Sequence, residues 1–309
     1  MKNAILSYAT NARFEDFYRF IASARLHCYP DRVDIAILID EIGPEFARVA
    51  VDHGVSLVPV VNVWRSARKS RLLNLWYHAN MRAIRSLIRV APTSQAGWIR
   101  QAYRHLVTGW VHPQAGRWIA YHEFVKVNSA YRMYMTSDLR DVVFQSDPFD
   151  GLDPGRLHAF EQDGIRYGGD NIDTDWFRNT YGADALRAMS GATTLCSGTV
   201  LGGAAEMLRL LELMAEQVEE HARIPLDQAM FNEVVAHRFD PTRLTLHGLK
   251  GGPVLTLTGD HEGLWEIREG RVEVGGRVVP VVHMYDRLEG PKELFLGRFP
   301  IPGGPAAAG

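Results

Sequence analysis

The chain has 309 residues, a formal net charge of −2 and 46% hydrophobic residues, a composition that excludes an intrinsically disordered or collagen-like chain and suits one large α/β domain with an appendage. Only Cys28 and Cys196 occur, which excludes a disulfide scaffold and a paired-cysteine metal site and fits a reducing compartment. No apolar run of about 18 residues is present and the N-terminus lacks a basic region followed by an apolar core, so neither a transmembrane helix nor a secretory signal is expected, and a soluble, cytoplasmic protein is.

In chain order, Asn3 to Ala9 reads as an apolar strand with its exit at Ala9-Thr10-Asn11. Phe14, Phe17, Tyr18 and Ile21 then follow the spacing of one buried helix face. Val33 to Asp40 is a second strand, Glu45 to His53 a short helix stopped by Gly54, and the run from Ser56 a third strand. This alternation predicts a mainly parallel sheet with helices on its faces. The window from Arg65 to about His112 reads as helical, broken at Pro92 and Pro113, and Gly116 to Val127 as a further helix. The apolar run Ala130 to Met135 predicts a buried strand leading to Asp138. Leu157 to Glu161 reads as a short strand, Gly169 to Arg178 as a polar loop, and Ala204 to His221 as an amphipathic helix with Met207, Leu210, Leu211, Met214 and Val218 inward. Val254–Leu257, Leu264–Arg268, Val272–Val274 and Arg277–Val282 predict a small β-meander, and residues 302–309, all Gly, Pro and Ala, a disordered tail.

Charge is unevenly spread. Between Asp52 and Glu123 there is no acid, whereas Arg65, Arg68, Lys69, Arg71, Arg82, Arg85, Arg89, Arg100, Arg104 and Arg117 all fall there, interleaved with Trp and Tyr. Two readings stay open: a solvated helical face paired with acids elsewhere, or a surface that attracts an anionic substrate or a membrane carrying one. No nucleic-acid-binding motif accompanies the patch, so nucleic acid is not an expected partner.

The strongest local signal is the exit of the strand that ends near Ser137. Asp138 and Asp141 stand there, and open α/β sheets bind ligands at the carboxyl ends of their strands. Hard divalent cations take carboxylate oxygens and substrate phosphates, so the pair is a candidate metal–diphosphate site; an ordinary acidic turn is the other reading. Three later segments join it: Leu195-Cys-Ser197-Gly198-Thr-Val-Leu-Gly202-Gly203, Pro225-Leu-Asp227-Gln228-Ala-Met-Phe-Asn232, and Val281-Val-His283-Met-Tyr-Asp286-Arg287.

Taken in order, these four segments resemble the metal-dependent GT-A glycosyltransferases, glycogenin-like members among them, over roughly Asn3 to Arg287. Asp141-Val-Val-Phe-x-x-Asp147-Pro148 is similar to the tail of their Asp-x-Asp region, Ser197-Gly198 and Gly202 to a small-residue strand, Asp227-Gln228 and Asn232 to a helix start, and His283 to a late metal-binding histidine. The resemblance implies one GT-A catalytic domain over residues 1–301, with 62–115 as a cationic helical insertion on the acceptor side or as a membrane-proximal lid, and 150–301 as the sugar and acceptor side with the closing strands. It implies transfer of a sugar from a nucleotide-sugar donor, expected to be UDP-linked, to an acceptor hydroxyl, with Mn2+ or Mg2+ as cofactor. The cationic window adds the expectation of an anionic or membrane-associated acceptor, and with it a cytoplasmic enzyme peripheral to the membrane. Asp138, Asp141 and His283 would be metal ligands. Ala9 and Thr10 would cradle the nucleoside, Arg117, Ser197 and Gly198 the donor, and Asp227 and Gln228 the sugar hydroxyls, with Asp227 also the base of an inverting reaction. Arg287 or Lys292 would neutralise the diphosphate.

In the family a single residue separates the two acids; here Leu139 and Arg140 do. Leu139 would then stand in the first family position, or Arg140 would replace part of the cation's charge. Asp227 also has the chemistry of a helix N-cap, and Arg287 that of a surface partner for Asp286. A sugar-phosphate nucleotidylyltransferase or a dehydrogenase would need a glycine-rich loop after the first strand, where Ala9-Thr-Asn-Ala-Arg-Phe stands instead. A non-catalytic carbohydrate- or membrane-surface-binding protein is the alternative from another class.

Overall fold

The computed structural model describes residues 1–62, 99, 102–104, 108, 111–221, 226–259 and 263–302. Most of the predicted cationic lobe and nearly all of the predicted tail lie outside these residues.

The N-terminal alternation folds as its pattern requires. Strands β1 (Asn3–Ala9), β2 (Val33–Ile39) and β3 (Val55–Pro59) are joined by helices α1 (Phe14–His27) and α2 (Pro44–Asp52). Successive strand residues point to opposite faces, and β1 shows it: Ala4 and Leu6 belong to one core with Trp118, Leu210 and Phe231, whereas Ile5 belongs to another with Phe17, Phe20 and Val49. Each fully buried aromatic or branched side chain of this kind contributes about 1.5–3 kcal/mol. Helix α2 stops where Gly54 takes a φ of 59°, open to glycine without strain.

Helix α3 (Pro113–Val127) starts at a proline behind His112, whose ring accepts from the Gln114 N–H at 3.3 Å. It is buried on nearly every side and leads into β4 (Met133–Ser137), which pairs with β1 in parallel. Strand β5 (Val142–Phe144) leaves this sheet; β6 (Leu157–Arg166), β7 (Thr193–Leu195), β8 (Thr199–Gly203) and β9 (Leu244–His247) extend it. The strand order is β3-β2-β1-β4-β8-β6-β7, with β9 also on β6. Only β8 and β7 run against the rest, so the sheet is mainly parallel. Its order reverses between β1 and β4, the point at which such sheets open a crevice at their strand ends.

Helix α4 (Ile172–Met189) overturns the polar loop expected over Gly169–Arg178. Asn171 caps it, accepting from the Thr174 N–H at 2.9 Å, a start signal easily read as loop composition. The helix is broken inside by Gly182 at φ 89°. Helix α5 (Ala204–His221) packs against α3 and against α6 (Asp227–His237).

The expected four-strand meander is also corrected. Only β11 (Glu266–Arg268), β12 (Arg271–Val274) and β13 (Arg277–Val278) form it. Strands β10 (Val254–Thr256) and β14 (Val281–His283) instead join β5 in a separate sheet, ordered β10-β14-β5, and α7 (Glu289–Arg298) closes over this end.

Candidate active site

The turn between β4 and β5 carries the acidic pair. Leu139 goes down into the core with Val142 and Phe144 at 6% exposure, and Arg140 goes outward to Asp286, Nη2 to Oδ2 3.0 Å. Leu139 thus takes no first-position role, and the two carboxylates face the same side despite the two residues between them. Register explains the third member. Strand β14 pairs antiparallel with β5 so that His283 stands opposite Val142, the residue after Asp141. His283 Nε2 lies 3.4 Å from Asp138 Oδ2 and 3.6 Å from Asp141 Oδ1, and one ligand atom from each of the three residues falls within 4.8 Å of the others.

The His283 ring is fully buried. Its Nδ1 faces Cys196 Sγ at 3.3 Å, while its Nε2, turned toward the carboxylates, has no hydrogen-bond partner among the described residues. Gly198 lets these groups meet: a Cβ there would come within 2.6 Å of Asp138 Oδ2 and 2.8 Å of His283 Nε2. Its carbonyl accepts from the Asp138 N–H at 2.7 Å, tying the turn between β7 and β8 to the acidic turn.

Arg117 is the second centre. It donates to Asp138 Oδ1, to Asp227 Oδ2 at 2.6 Å and to the Ser197 carbonyl at 3.3 Å. Trp118 Nε1 donates to the same Asp227 oxygen at 3.1 Å, with its indole stacked on Phe231, centroids 5.9 Å apart. The cation that balances Asp138 is therefore Arg117, whereas Arg140, which the sequence reading offered as a partial substitute for the metal's charge, is turned to Asp286. Burial pushes the Asp138 carboxyl up, but the Arg117 guanidinium and the His283 ring outweigh it and hold the group well below the usual carboxylate range. Burial likewise raises Asp227, opposed in part by Arg117. For His283 burial disfavours the imidazolium, yet Cys196 and the two carboxylates more than offset it and the ring titrates well above its ordinary value.

The remaining sequence candidates fall unevenly. Asp227 is the first residue of α6, not its cap; Leu226 holds that position without a side-chain bond. Gln228, expected on a sugar hydroxyl, is spent on the protein: its Oε1 accepts from the Ser197 N–H at 2.9 Å and its Nε2 donates to the Leu195 carbonyl at 2.9 Å. Asn232 clamps Leu195 from both sides, at 2.8 Å to its N–H and 2.8 Å to its carbonyl. Ala9 and Thr10 stand at the β1 exit on the same rim as Asp138, since Ser7 pairs with Ser137. Arg287 reaches 3.9 Å from Asp141 and also touches Asp286 at 3.5 Å. Lys292 is exposed on α7, outside the contacting group. In the cationic window, Arg104 and Arg117 are buried and paired, Arg104 with Glu219; the other eight cations lie outside the described residues. Sequence reading missed Cys196 beside His283 and the acid-binding role of Trp118.

The donor set suits a divalent cation. Two carboxylates and an imidazole nitrogen are the ligands manganese accepts, the orphaned, buried Nε2 points where such an ion would sit, and the field that holds a proton on His283 would hold a cation in its place.

No protein-family model matches the chain, and no curated protein matches it. The architecture is the GT-A fold of glycosyltransferases, a mainly parallel sheet with flanking helices and a C-terminal strand group. Among the solved structures it is similar to is the galactosyltransferase LgtC in complex with donor and acceptor sugar analogues, at 13% identity and a TM-score of 0.50, covering 97% of this chain and 98% of that one. An active-site mutant of LgtC is similar at 12% identity, with the same coverage and TM-score.

Proposed function

We propose that the protein is a glycosyltransferase that moves a sugar from a nucleoside-diphosphate donor, UDP-linked by preference, to an acceptor hydroxyl. The observation that carries this reading is the convergence of Asp138, Asp141 and His283 beside the crevice between β1 and β4, in a GT-A fold. A Mn2+ or Mg2+ ion held by those three side chains would neutralise the charge that builds on the departing diphosphate.

The chain's own groups do the rest. Ala9 and Thr10 border the nucleoside end of the crevice. Gly198, having no side chain, leaves the space that His283 and Asp138 occupy, so both groups meet at the acidic turn. Arg117 holds Asp138 and Asp227 in fixed positions, so the carboxylates are ordered before substrate arrives and little reorganisation is needed during reaction. Asp227 Oδ2 is taken by Arg117 and Trp118, while Oδ1 accepts no hydrogen bond from the described residues and is the oxygen that would orient a sugar hydroxyl or take its proton. Arg287, near Asp141, would meet the outer phosphate charge. The anionic or membrane-associated acceptor suggested by the cationic window belongs to this proposal, as does a cytoplasmic, membrane-peripheral location; no described helix is long and apolar enough to cross a membrane.

The test is thermal denaturation with UDP alone, Mn2+ alone and both together, followed by a panel of nucleotide sugars assayed for metal-dependent sugar release. The expected result is stabilisation by the pair beyond the sum of either alone and release from at least one donor. Equal melting in all mixtures, with every donor left intact, rules the reading out.

A further inference from the structure

Asp173 lies in the first turn of α4 at 1% exposure, outside the Asp138–Asp141–His283 group. Its Oδ2 accepts from Gln162 Nε2 at 3.2 Å. Gln162 Oε1 in turn accepts from Gln228 Nε2 at 2.5 Å. Gln228 Oε1 accepts from the Ser197 N–H, and its Nε2 also donates to the Leu195 carbonyl. The result is an unbroken, buried chain of hydrogen bonds from α4 to the loop that carries Gly198.

A carboxamide turned end for end keeps its shape, so only its partners decide which way it points. Both ends of this chain are polar groups that cannot exchange roles. The backbone N–H of Ser197 only donates, the Leu195 carbonyl only accepts, and a carboxylate only accepts. With Asp173 in place, Gln162 must present its oxygen to Gln228, which leaves Gln228 its oxygen for Ser197. With Asp173 removed, Gln162 loses the partner that fixes its orientation, and a reversed Gln162 would set one NH2 against another at Gln228, a buried unsatisfied donor that costs about 1–3 kcal/mol.

We infer that Asp173 is a positioning residue for the candidate active site, acting through Gln162 and Gln228 to hold the Ser197–Gly198 backbone against Asp138 and His283. Its own seat is rigid. Asn171 caps the helix just before it, Thr174 Oγ1 accepts from the Gly168 N–H at 3.1 Å, and Tyr167 packs on Phe177 with centroids 5.1 Å apart.

The kinetic part of the test rests on the proposed transferase reading, whereas the exchange part does not. Hydrogen–deuterium exchange of the Ser197 amide is compared with that of Leu6 in β1 for wild type, Asp173→Ala, Gln162→Leu and Asp173→Asn. Asp173→Ala and Gln162→Leu are expected to speed Ser197 exchange at least ~10-fold relative to Leu6, a local opening that general destabilisation would not produce. Asp173→Asn, whose Oδ1 still accepts from Gln162, is expected to exchange as wild type does. Should Asp173→Ala fail to fold, Gln162→Leu and Asp173→Asn still decide. Unchanged Ser197 exchange in the disrupted variants, or Asp173→Asn as damaging as Gln162→Leu, overturns the inference. With a donor that the wild type turns over, the disrupted variants should lose about 10–100-fold in kcat/KM, as outer partners of ligand-holding groups do, and Asp173→Asn should recover most of it. If no donor is turned over, the transferase reading fails while the exchange result still stands or falls alone.

Discussion

Gly198 and His283 are packed so closely that a methyl group on the glycine would lie 2.4 Å from Cε1 of the ring. The backbone at Gly198 needs no special φ; what it needs is the absence of a side chain. Gly198→Ala must push the imidazole or Asp138 aside, and overpacking of this kind costs about 1–3 kcal/mol. The expected outcome is a modest fall in the denaturation midpoint together with complete loss of the extra stabilisation by Mn2+ and UDP. Retention of that extra stabilisation in the variant would show that the ring and the turn do not form the ligand pocket.

Asp141→Ala removes one of the two carboxylates facing His283 Nε2. Its main-chain carbonyl, which accepts from the Tyr285 N–H at 3.4 Å, is kept, so the turn should hold. Sugar transfer is expected to fall by about 10² to 10³-fold, the scale of losing one group that stabilises developing charge, with circular dichroism unchanged. Steady-state turnover within a few-fold of wild type would count against the metal assignment.

Arg117→Met leaves the buried Asp227 and the part-exposed Asp138 without their shared cation. Removing one partner of a buried ion pair costs about 3–5 kcal/mol, chiefly from the charge left behind. Arg117→Met combined with Asp227→Asn should be less unstable than the two single changes summed. A double-mutant cycle in urea measures the coupling; a coupling energy near zero would mean that Arg117 and Asp227 do not share the interaction.

His158 and His247 provide a pH dependence away from the acidic cluster. His158 Nε2 faces the Asp153 carbonyl at 2.9 Å, so it carries the proton, and its Nδ1 accepts from His247 Nε2 at 3.0 Å. A further proton has no place between the rings. Burial first, then the neighbouring ring, holds His247 down to about 4 from its ordinary 6.5, and burial lowers His158 as well. The unfolded chain protonates His247 near pH 6.5 while the folded one resists until nearer pH 4. Stability is therefore fully present above about pH 6.5 and is lost as pH falls toward 4. Denaturant midpoints measured across that range should drop in the wild type and drop less in His247→Phe, which keeps a ring against Phe160.

Much of the frame was legible because periodicity controls it. The β1 strand, the inward face of α5 and the Gly54 stop all follow from local pattern and are found where that pattern puts them. Asp138, Asp141 and His283 were legible as ligand types, but only the β5–β14 register brings the imidazole to the turn. What could not be read is long-range. Trp118 looks like one more aromatic in a cationic stretch until α6 is seen to offer Asp227 to its indole. Asp227 looks like a cap because capping chemistry and ion-pair chemistry use the same side chain. The α4 start was hidden because Asn171 and the glycines before it have the composition of a turn. Strands β10 and β14 were assigned to the meander because adjacency in sequence hides pairing with a strand far upstream.

Strand β14 has a consequence for the order in which the molecule comes into being. The main sheet's first four strands and the acidic turn leave the ribosome long before Val281 to His283 do. The growing polypeptide can bury its central layers while one side of the pocket is still open, and the imidazole slots between β10 and β5 only near the end. The Asp138–Asp141–His283 cluster is thus assembled late, and a product cut short ahead of Val281 would keep the two carboxylates without the imidazole that completes the group.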